Sequence, residues 1–270
     1  MLGYLVNDGL FNWVQKKLAD SSKLRKTEYF NQMRCCVFYA SFLDNGRCRI
    51  PDVSEHAIYV CFSLQRGRLN TRIPEMKIPG WFEKVDSMPD DPPYSGAYCF
   101  GSSGAGCFAL VYPIPADQAM PYENPLAVID GIHRALGDDQ GLIEVERGVT
   151  PAGRRYLYSI VKTLRKPGSV QYCLRVNIEY PECAMQVMGF FEEMGTTGVR
   201  DSMVYILLSR HGVVKTTEEG LEGWGADPYD PFYTHGVLMN CAEKKEFDAQ
   251  FPQHPLSELR RFAVKLVELN

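Results

Sequence analysis

The chain has 270 residues, 45% of them hydrophobic and 23% charged, which is an ordinary globular composition with length for one large domain or two small ones. A net charge of −4 weighs against a nucleic-acid surface, which takes a basic face, and no apolar run approaches the roughly eighteen residues of a membrane helix. The first 18 residues lack a basic stretch ahead of their apolar ones, so no signal peptide is read; nine cysteines are then expected as free thiols in a reducing cytoplasm.

Asp8 can cap a helix over 9–18, with Leu10, Trp13, Val14 and Leu18 on one face. Thr27 can cap a second over 27–42, with Tyr29, Met33, Cys36, Val37 and Ala40 aligned, ended by Asn45-Gly46. Residues 52–66 fit a helix opened by Ser54, although Ile58 to Phe62 also reads as a buried strand. Five prolines between 74 and 93 predict extended chain with one short strand. A hairpin follows, with strands over 97–100 and 107–113 around Gly101-Ser-Ser-Gly-Ala-Gly106. Asn124-Pro125 supplies a cap and a first-turn proline for a helix to Leu136, with Leu126, Ile129, His133 and Leu136 aligned.

Four strands are then predicted over 142–147, 155–164, 170–180 and 183–191. The third is the clearest: Val170, Tyr172, Leu174, Val176, Ile178 and Tyr180 alternate with Gln171, Cys173, Arg175, Asn177 and Glu179, one apolar row and one mostly polar. Short turns make these an antiparallel meander. Thr197 is the expected cap of a helix over 198–210, closed by Gly212. Beyond it come Trp224, a turn-rich Asp227-Pro-Tyr-Asp-Pro231 and a final helix over 256–269. The division is an N-terminal helical segment (1–66), an antiparallel-sheet domain (67–213), and a C-terminal irregular segment and helix packing on that domain (214–270).

The order strand, strand, helix, four strands, helix between Leu69 and Gly212 resembles the PsbP-like fold, shared by a photosystem II extrinsic subunit, a nuclear-import factor that binds the small GTPase Ran, and some bacterial lipoproteins. The resemblance covers about half the chain and lies in element order alone. It implies an α+β protein with an antiparallel sheet of about six strands covered by helices, and a binding role. The segments 189–201 (GFFEEMGTTGVRD) and 251–257 (FPQHPLS) are similar to stretches of bacterial proteins that carry no family function.

Chemistry-bearing residues are few. The glycines at 101, 104 and 106 lead into a strand, with no Lys-Ser/Thr after them, so they form a hairpin loop and not a phosphate cradle. The five histidines have no metal-ligand spacing, and Cys35-Cys36 is not a redox motif; no metal or cofactor is expected. Glu144 and Glu146 share a strand face, roughly 6.6–7 Å apart. They suit acid–base chemistry or a solvated face neutralised by Arg154 and Arg155. Glu192 and Glu193 precede a helix start where Thr196, Thr197 and an exposed Arg200 could hold an anion or a partner's carboxylate; the plainer reading is a cap and a turn. Trp224, Tyr229, Phe232 and Tyr233 fit either an interface or a cover over the sheet.

These features imply a non-catalytic, cytoplasmic bacterial binding or accessory protein, engaging a protein partner through an exposed sheet face or the aromatic C-terminal segment. A hydrolase or transferase with Glu144 and Glu146 in a cleft is the alternative reading. A structural subunit that forms a homodimer through its N-terminal helices is a third.

Overall fold

The computed structural model describes residues 73–270, except 89, 90, 166, 167 and 219. The helices expected over 9–18, 27–42 and 52–66, with Cys35, Cys36 and His56, lie outside the described residues. Seven strands form one sheet in the order β1-β2-β3-β7-β6-β5-β4, every neighbouring pair antiparallel. They are β1 (Glu83–Val85), β2 (Gly96–Gly101), β3 (Ala105–Ile114), β4 (Gln140–Val149), β5 (Arg155–Arg165), β6 (Ser169–Glu179) and β7 (Ala184–Glu193). The meander β4 to β7 and the hairpin β2–β3 are those expected from the alternation. Their union through β3 and β7 adds a long-range pairing, Ala105 opposite Glu193 to Ile114 opposite Ala184.

One face of the sheet is the main core. Tyr172, Leu174, Val176 and Ile178 project from β6 at 2% exposure or less, as their alternation requires. Helix α3 (Pro255–Leu269) lies over them. Its Leu256, Leu259, Phe262, Ala263 and Leu266 are fully buried, and the Phe262 ring sits 4.5 Å from Phe82 and 5.9 Å from Phe191. Each such side chain removed from water contributes about 1.5–3 kcal/mol, so hydrophobic burial alone anchors α3.

On the opposite face, helix α1 (Pro125–Ala135) packs beside β4 and β5. Asn124 accepts from the Ala127 amide at 3.1 Å, the cap expected of Asn-Pro. Val128 meets Leu157 and Met120, while Ile129 and Leu136 meet Leu142. Leu126, expected on that stripe, is exposed; the packed face is rotated toward Val128 and Ile132. The expectation of an open, polar sheet face is also corrected. Gln171, Asn177 and Gln186 are buried. Asn177 donates to the Gln186 carbonyl oxygen at 3.1 Å and accepts from the Met120 amide at 2.9 Å. Polar side chains that satisfy one another can lie inside, so the polar row marked composition and not exposure.

The segment after 212 begins with a small exposed hairpin, β8 (Lys215–Thr217) with β9 (Gly220–Glu222), and then runs along the β4 edge. The Val237 amide donates to the Gln140 carbonyl at 2.8 Å, and the Tyr229 hydroxyl bonds both the amide and the carbonyl of Val145. A Cβ on Gly141 would come within 1.6 Å of the Val237 carbonyl, so only glycine permits this approach. Three backbone groups of the edge strand are thereby paired, which blunts an edge that would otherwise invite aggregation.

Candidate functional site

The two sequence stretches singled out above, 189–201 and 251–257, meet in space. Helix α2 (Val199–Arg210) starts where they touch. Its first residue follows Gly198, whose φ of +73° is a left-handed conformation that suits glycine. Thr197 does not cap this helix. The Glu193 carboxylate takes that place, accepting from the Gly198 amide at 3.0 and 3.2 Å, because β7 delivers it beneath the turn. Across from it, His254 Nδ1 accepts from the Leu256 amide at 3.3 Å and faces an Arg200 N–H at 3.4 Å. Two donors on Nδ1 put the ring proton on Nε2, which points at Glu193 Oε1 from 3.5 Å. One His–Glu pair thus joins the starts of α3 and α2.

Arg200, read from sequence as an exposed first-turn residue, is 1% exposed. Its guanidinium donates to the carbonyls of Ala242 and Lys244, to Ser257 Oγ and to Asp248, at 2.6 to 3.1 Å. Arg260 on α3 shares Asp248 and reaches Glu144 Oε2 at 2.9 Å and the Glu243 carbonyl at 2.8 Å. Glu243 lies deepest. It accepts from Lys162 Nζ at 2.7 Å, the Tyr172 hydroxyl at 3.1 Å and the Asn240 amide at 2.7 Å, while its own amide bonds the Asn240 side chain. That last pair is a capping box over the turn Cys241–Glu243.

Glu144 and Glu146 do share a face, and each has an oxygen within hydrogen-bond distance of the Tyr158 hydroxyl, at 2.6 and 2.8 Å, which can give its one proton to either. Their cation is Lys245, 2.9 Å from each, and not Arg154 or Arg155. The register explains this: Tyr158 sits opposite Glu146, while Arg155 sits opposite Val149 and turns to Glu123 and Glu179. Burial pushes the Glu146 carboxyl up, but hydrogen bonds from Lys245 and Tyr158 outweigh it and hold it below the usual range. Burial, then the Glu144 charge, holds the Tyr158 hydroxyl protonated well above its ordinary range. Burial pushes Asp201 up to about 6, helped by the charges of Glu243 and Glu193. Burial, with the charges of Arg200 and Arg260, pushes His254 down to about 3.

This junction is closed: both oxygens of Glu144 are taken by protein donors. A cleft of about 270 Å³ lies elsewhere, lined by Glu75, Lys77, Arg154, Glu268 and Asn270 among others, and none of the predicted site residues lines it. No cluster of His, Cys, Asp and Glu among the described residues could hold a metal ion. Helix α2 turns the opposite way outward. Val199, Met203, Ile206 and Leu207 are 41–57% exposed along one stripe, with Val213 beyond at 56%. Four apolar residues at i, i+4, i+7 and i+8 form a face that normally seeks cover.

The predicted site residues therefore separate. Thr196 and Thr197 are exposed beside the α2 start, and Arg200 lies beneath it. Trp224 packs edge-on to Tyr205 of α2 at 5.8 Å. Tyr229 holds β4, and Tyr233 stacks on His133 of α1 at 4.0 Å, beside a His133–Asp227 pair at 2.9 Å. Phe232 between them is 89% exposed. Sequence reading missed Lys162, Glu243, Asp248 and Arg260. Two signals existed: Lys162 interrupts the apolar row Tyr158, Ile160, Leu164 of β5, and Asn240-Cys-Ala-Glu243 has capping-box spacing.

The sheet and its helices define an α+β protein with a helix-covered antiparallel sheet, the class that the element order implied. The solution structure of cyanobacterial PsbP from Synechocystis sp. PCC 6803 is similar at 14% identity and a TM-score of 0.28, over 53% of this chain and 82% of that one. PA94 of Pseudomonas aeruginosa, a protein of unknown function described as a candidate regulator, is similar at 8% identity and a TM-score of 0.29, over 50% of this chain and 94% of that one. At these scores the fold rests on the strand order and register described above. No protein-family profile and no curated protein matches the chain. No helix among the described residues is long and apolar enough to cross a membrane.

Proposed function

We propose that this is a non-catalytic binding or accessory protein that engages a protein partner through the outer face of α2. The exposed stripe Val199, Met203, Ile206 and Leu207 carries the reading, since a helix in water keeps such residues open only where something else covers them. The helix that bears the stripe is fixed from below by Arg200, so its outer side chains are presented by a rigid element. Thr196 and Thr197 stand exposed just before the stripe, at the start of the helix. Five described cysteines are free, which supports a reducing, cytoplasmic setting.

The test is direct binding. A protein captured from the native host is purified and titrated against wild type and Met203→Lys/Ile206→Lys. Two apolar side chains replaced by charges should weaken binding at least about 30-fold, on about 1–2 kcal/mol for each apolar group no longer buried by the partner. Unchanged affinity overturns the proposal.

A further inference from the structure

We propose that residues 52–66 of this chain, which lie outside the described residues, dock on the sheet face formed by β2, β3 and β7 and close it. That face is then filled from within the chain and is not offered to a partner. The inference goes beyond the docking reading of α2 and does not depend on it.

The strand register builds the surface. Phe108 of β3 lies opposite Cys99 of β2 on one side and Phe190 of β7 on the other, and Leu110 lies opposite Ala97 and Met188. Cross-strand partners share a face, so these six side chains form one continuous apolar surface. It is the reverse of the face under α3, which takes the alternate residues Cys107, Ala109, Val187 and Phe191. All six are at most 8% exposed, so something covers them. No helix among the described residues does. Helix α1 meets Leu142 and Leu157 of β4 and β5, α2 packs on Ala242 and Phe247, and α3 lies on the other face. The cover therefore belongs to the chain ahead of Ile73.

Composition and reach name the segment. Residues 46–72 fall in the same compact unit as the sheet, whereas 1–45 form a unit of their own. Within 46–72, Ala57 to Phe62 is six apolar residues in a row, with Val53 before it and Leu64 after it. A strand of that run spans about 20 Å and a helix over 52–66 about 22 Å, while three strands lie within about 10 Å, so either conformation crosses them. Ile73 packs against the main core on the α3 side. The ten residues from 63 to 72 reach about 33 Å when extended, enough to pass around a sheet to its reverse face.

The experiment uses the full chain with photo-methionine in place of methionine, and maps the cross-links made from position 188. Met188 should link to a peptide within 52–66. Met185, on the α3 face, is the control and should link elsewhere. Mixing isotopically light and heavy chains tells a link within one copy from a link between two. A link from Met188 to 27–42 or to a second copy overturns the proposal, and so does no link from Met188 while Met185 links. A second measurement follows thiol alkylation, site by site, in Ile58→Asp/Phe62→Asp. Cys99 should react at least about tenfold faster than in wild type, while Cys107, fully buried on the α3 face, keeps its rate. An unchanged rate at Cys99 overturns the proposal. A rise at both thiols is loss of the fold, and the cross-link then decides alone. None of these results bears on Met203→Lys/Ile206→Lys, so the covered sheet face and the docking helix fail separately.

Discussion

Helices α2 and α3 are tied at their starts to the same network and are built in opposite senses. Helix α3 buries Leu256, Leu259, Phe262, Ala263 and Leu266 and keeps Arg261 and Val264 outside. Helix α2 buries Arg200 and Val204 and leaves Val199, Met203, Ile206 and Leu207 in water. The first is the arrangement that the hydrophobic effect selects unaided. The second is held from its inner side by the Arg200 hydrogen bonds together with a small cluster of Val204 and Leu208 with Ala242 and Phe247, and it leaves an apolar surface free.

The comparison is broken most directly by removing one anchor from each helix. Phe262→Ala should destabilise the fold by about 3–5 kcal/mol, from the lost burial and the cavity left between Phe82 and Phe191. Arg200→Ala should cost about as much, about 3–5 kcal/mol, by a different route. It leaves the Ala242 and Lys244 carbonyls and the Ser257 hydroxyl oxygen without their donor, while Asp248 keeps Arg260. Urea unfolding of both variants measures this. A loss under about 1 kcal/mol for Arg200→Ala would mean that the inner side of α2 is not held as described.

The pH dependence separates the residues at the joint between the two helices. His254 has a folded-state pKa of about 3, below its unfolded value of about 6.5, so the neutral form is favoured in the fold. That contribution is complete above about pH 6.5 and is lost as the pH falls toward 3, at about 1.4 kcal/mol per unit. Asp201 works in the other sense. Its folded pKa of about 6 lies above the unfolded value of about 3.9, so stability is gained as the pH falls through 6. The two oppose each other between about pH 6.5 and 5, with about 2 kcal/mol lost through His254 and part of it returned by Asp201. His254→Gln removes the loss and keeps the gain. Its stability should therefore rise on acidification over that interval while wild type stays level or falls. Thermal midpoints at matched ionic strength decide it, and parallel curves for the two proteins would sink the assignment.

How much of this was readable beforehand follows from which interactions are local. The alternation of Val170 to Tyr180 named β6, its neighbours and its buried row, because pleating ties every second side chain to one face. Asn124-Pro125 named a helix start for the same reason: the cap and the helix are adjacent in sequence. Arg200 was misread because nothing within its own turn tells that five groups from 42 to 57 residues away converge on it. Gln171 and Asn177 misled similarly, since burial of a polar residue depends on partners such as Met120 and Gln186 that only the fold supplies. The stripe on α2 was visible as apolar residues at helical spacing. Their spacing could not say which side faced inward: only Val204 and Leu208 of its apolar residues turn toward Ala242 and Phe247, beside the buried Arg200.

The smallest expected effect tests that lesson at a single cap. Sequence reading gave Thr197 the capping role, for which its replacement by alanine should cost about 0.5–2 kcal/mol. In the fold, the Gly198 amide is taken by Glu193, a residue that β7 brings from five positions earlier, and Thr197 is exposed. A carboxylate at a helix start also meets the positive end of the helix dipole, which adds a few tenths to about 1 kcal/mol. Thr197→Ala should therefore change stability by less than about 0.5 kcal/mol, as surface replacements do. Glu193→Ala should cost about 1–2 kcal/mol, and more than the cap alone accounts for, because His254 loses the acceptor its Nε2 proton faces. The double variant sharpens the comparison. If Glu193 is the cap, Thr197→Ala stays neutral in both backgrounds. If Thr197 takes over the Gly198 region once the carboxylate is gone, its replacement becomes costly only in the Glu193→Ala background. Either outcome leaves Glu193 as the cap of the native helix. A costly Thr197→Ala in the otherwise intact protein, together with a neutral Glu193→Ala, would return the role to the threonine and unmake the His254–Glu193 link between the two helices.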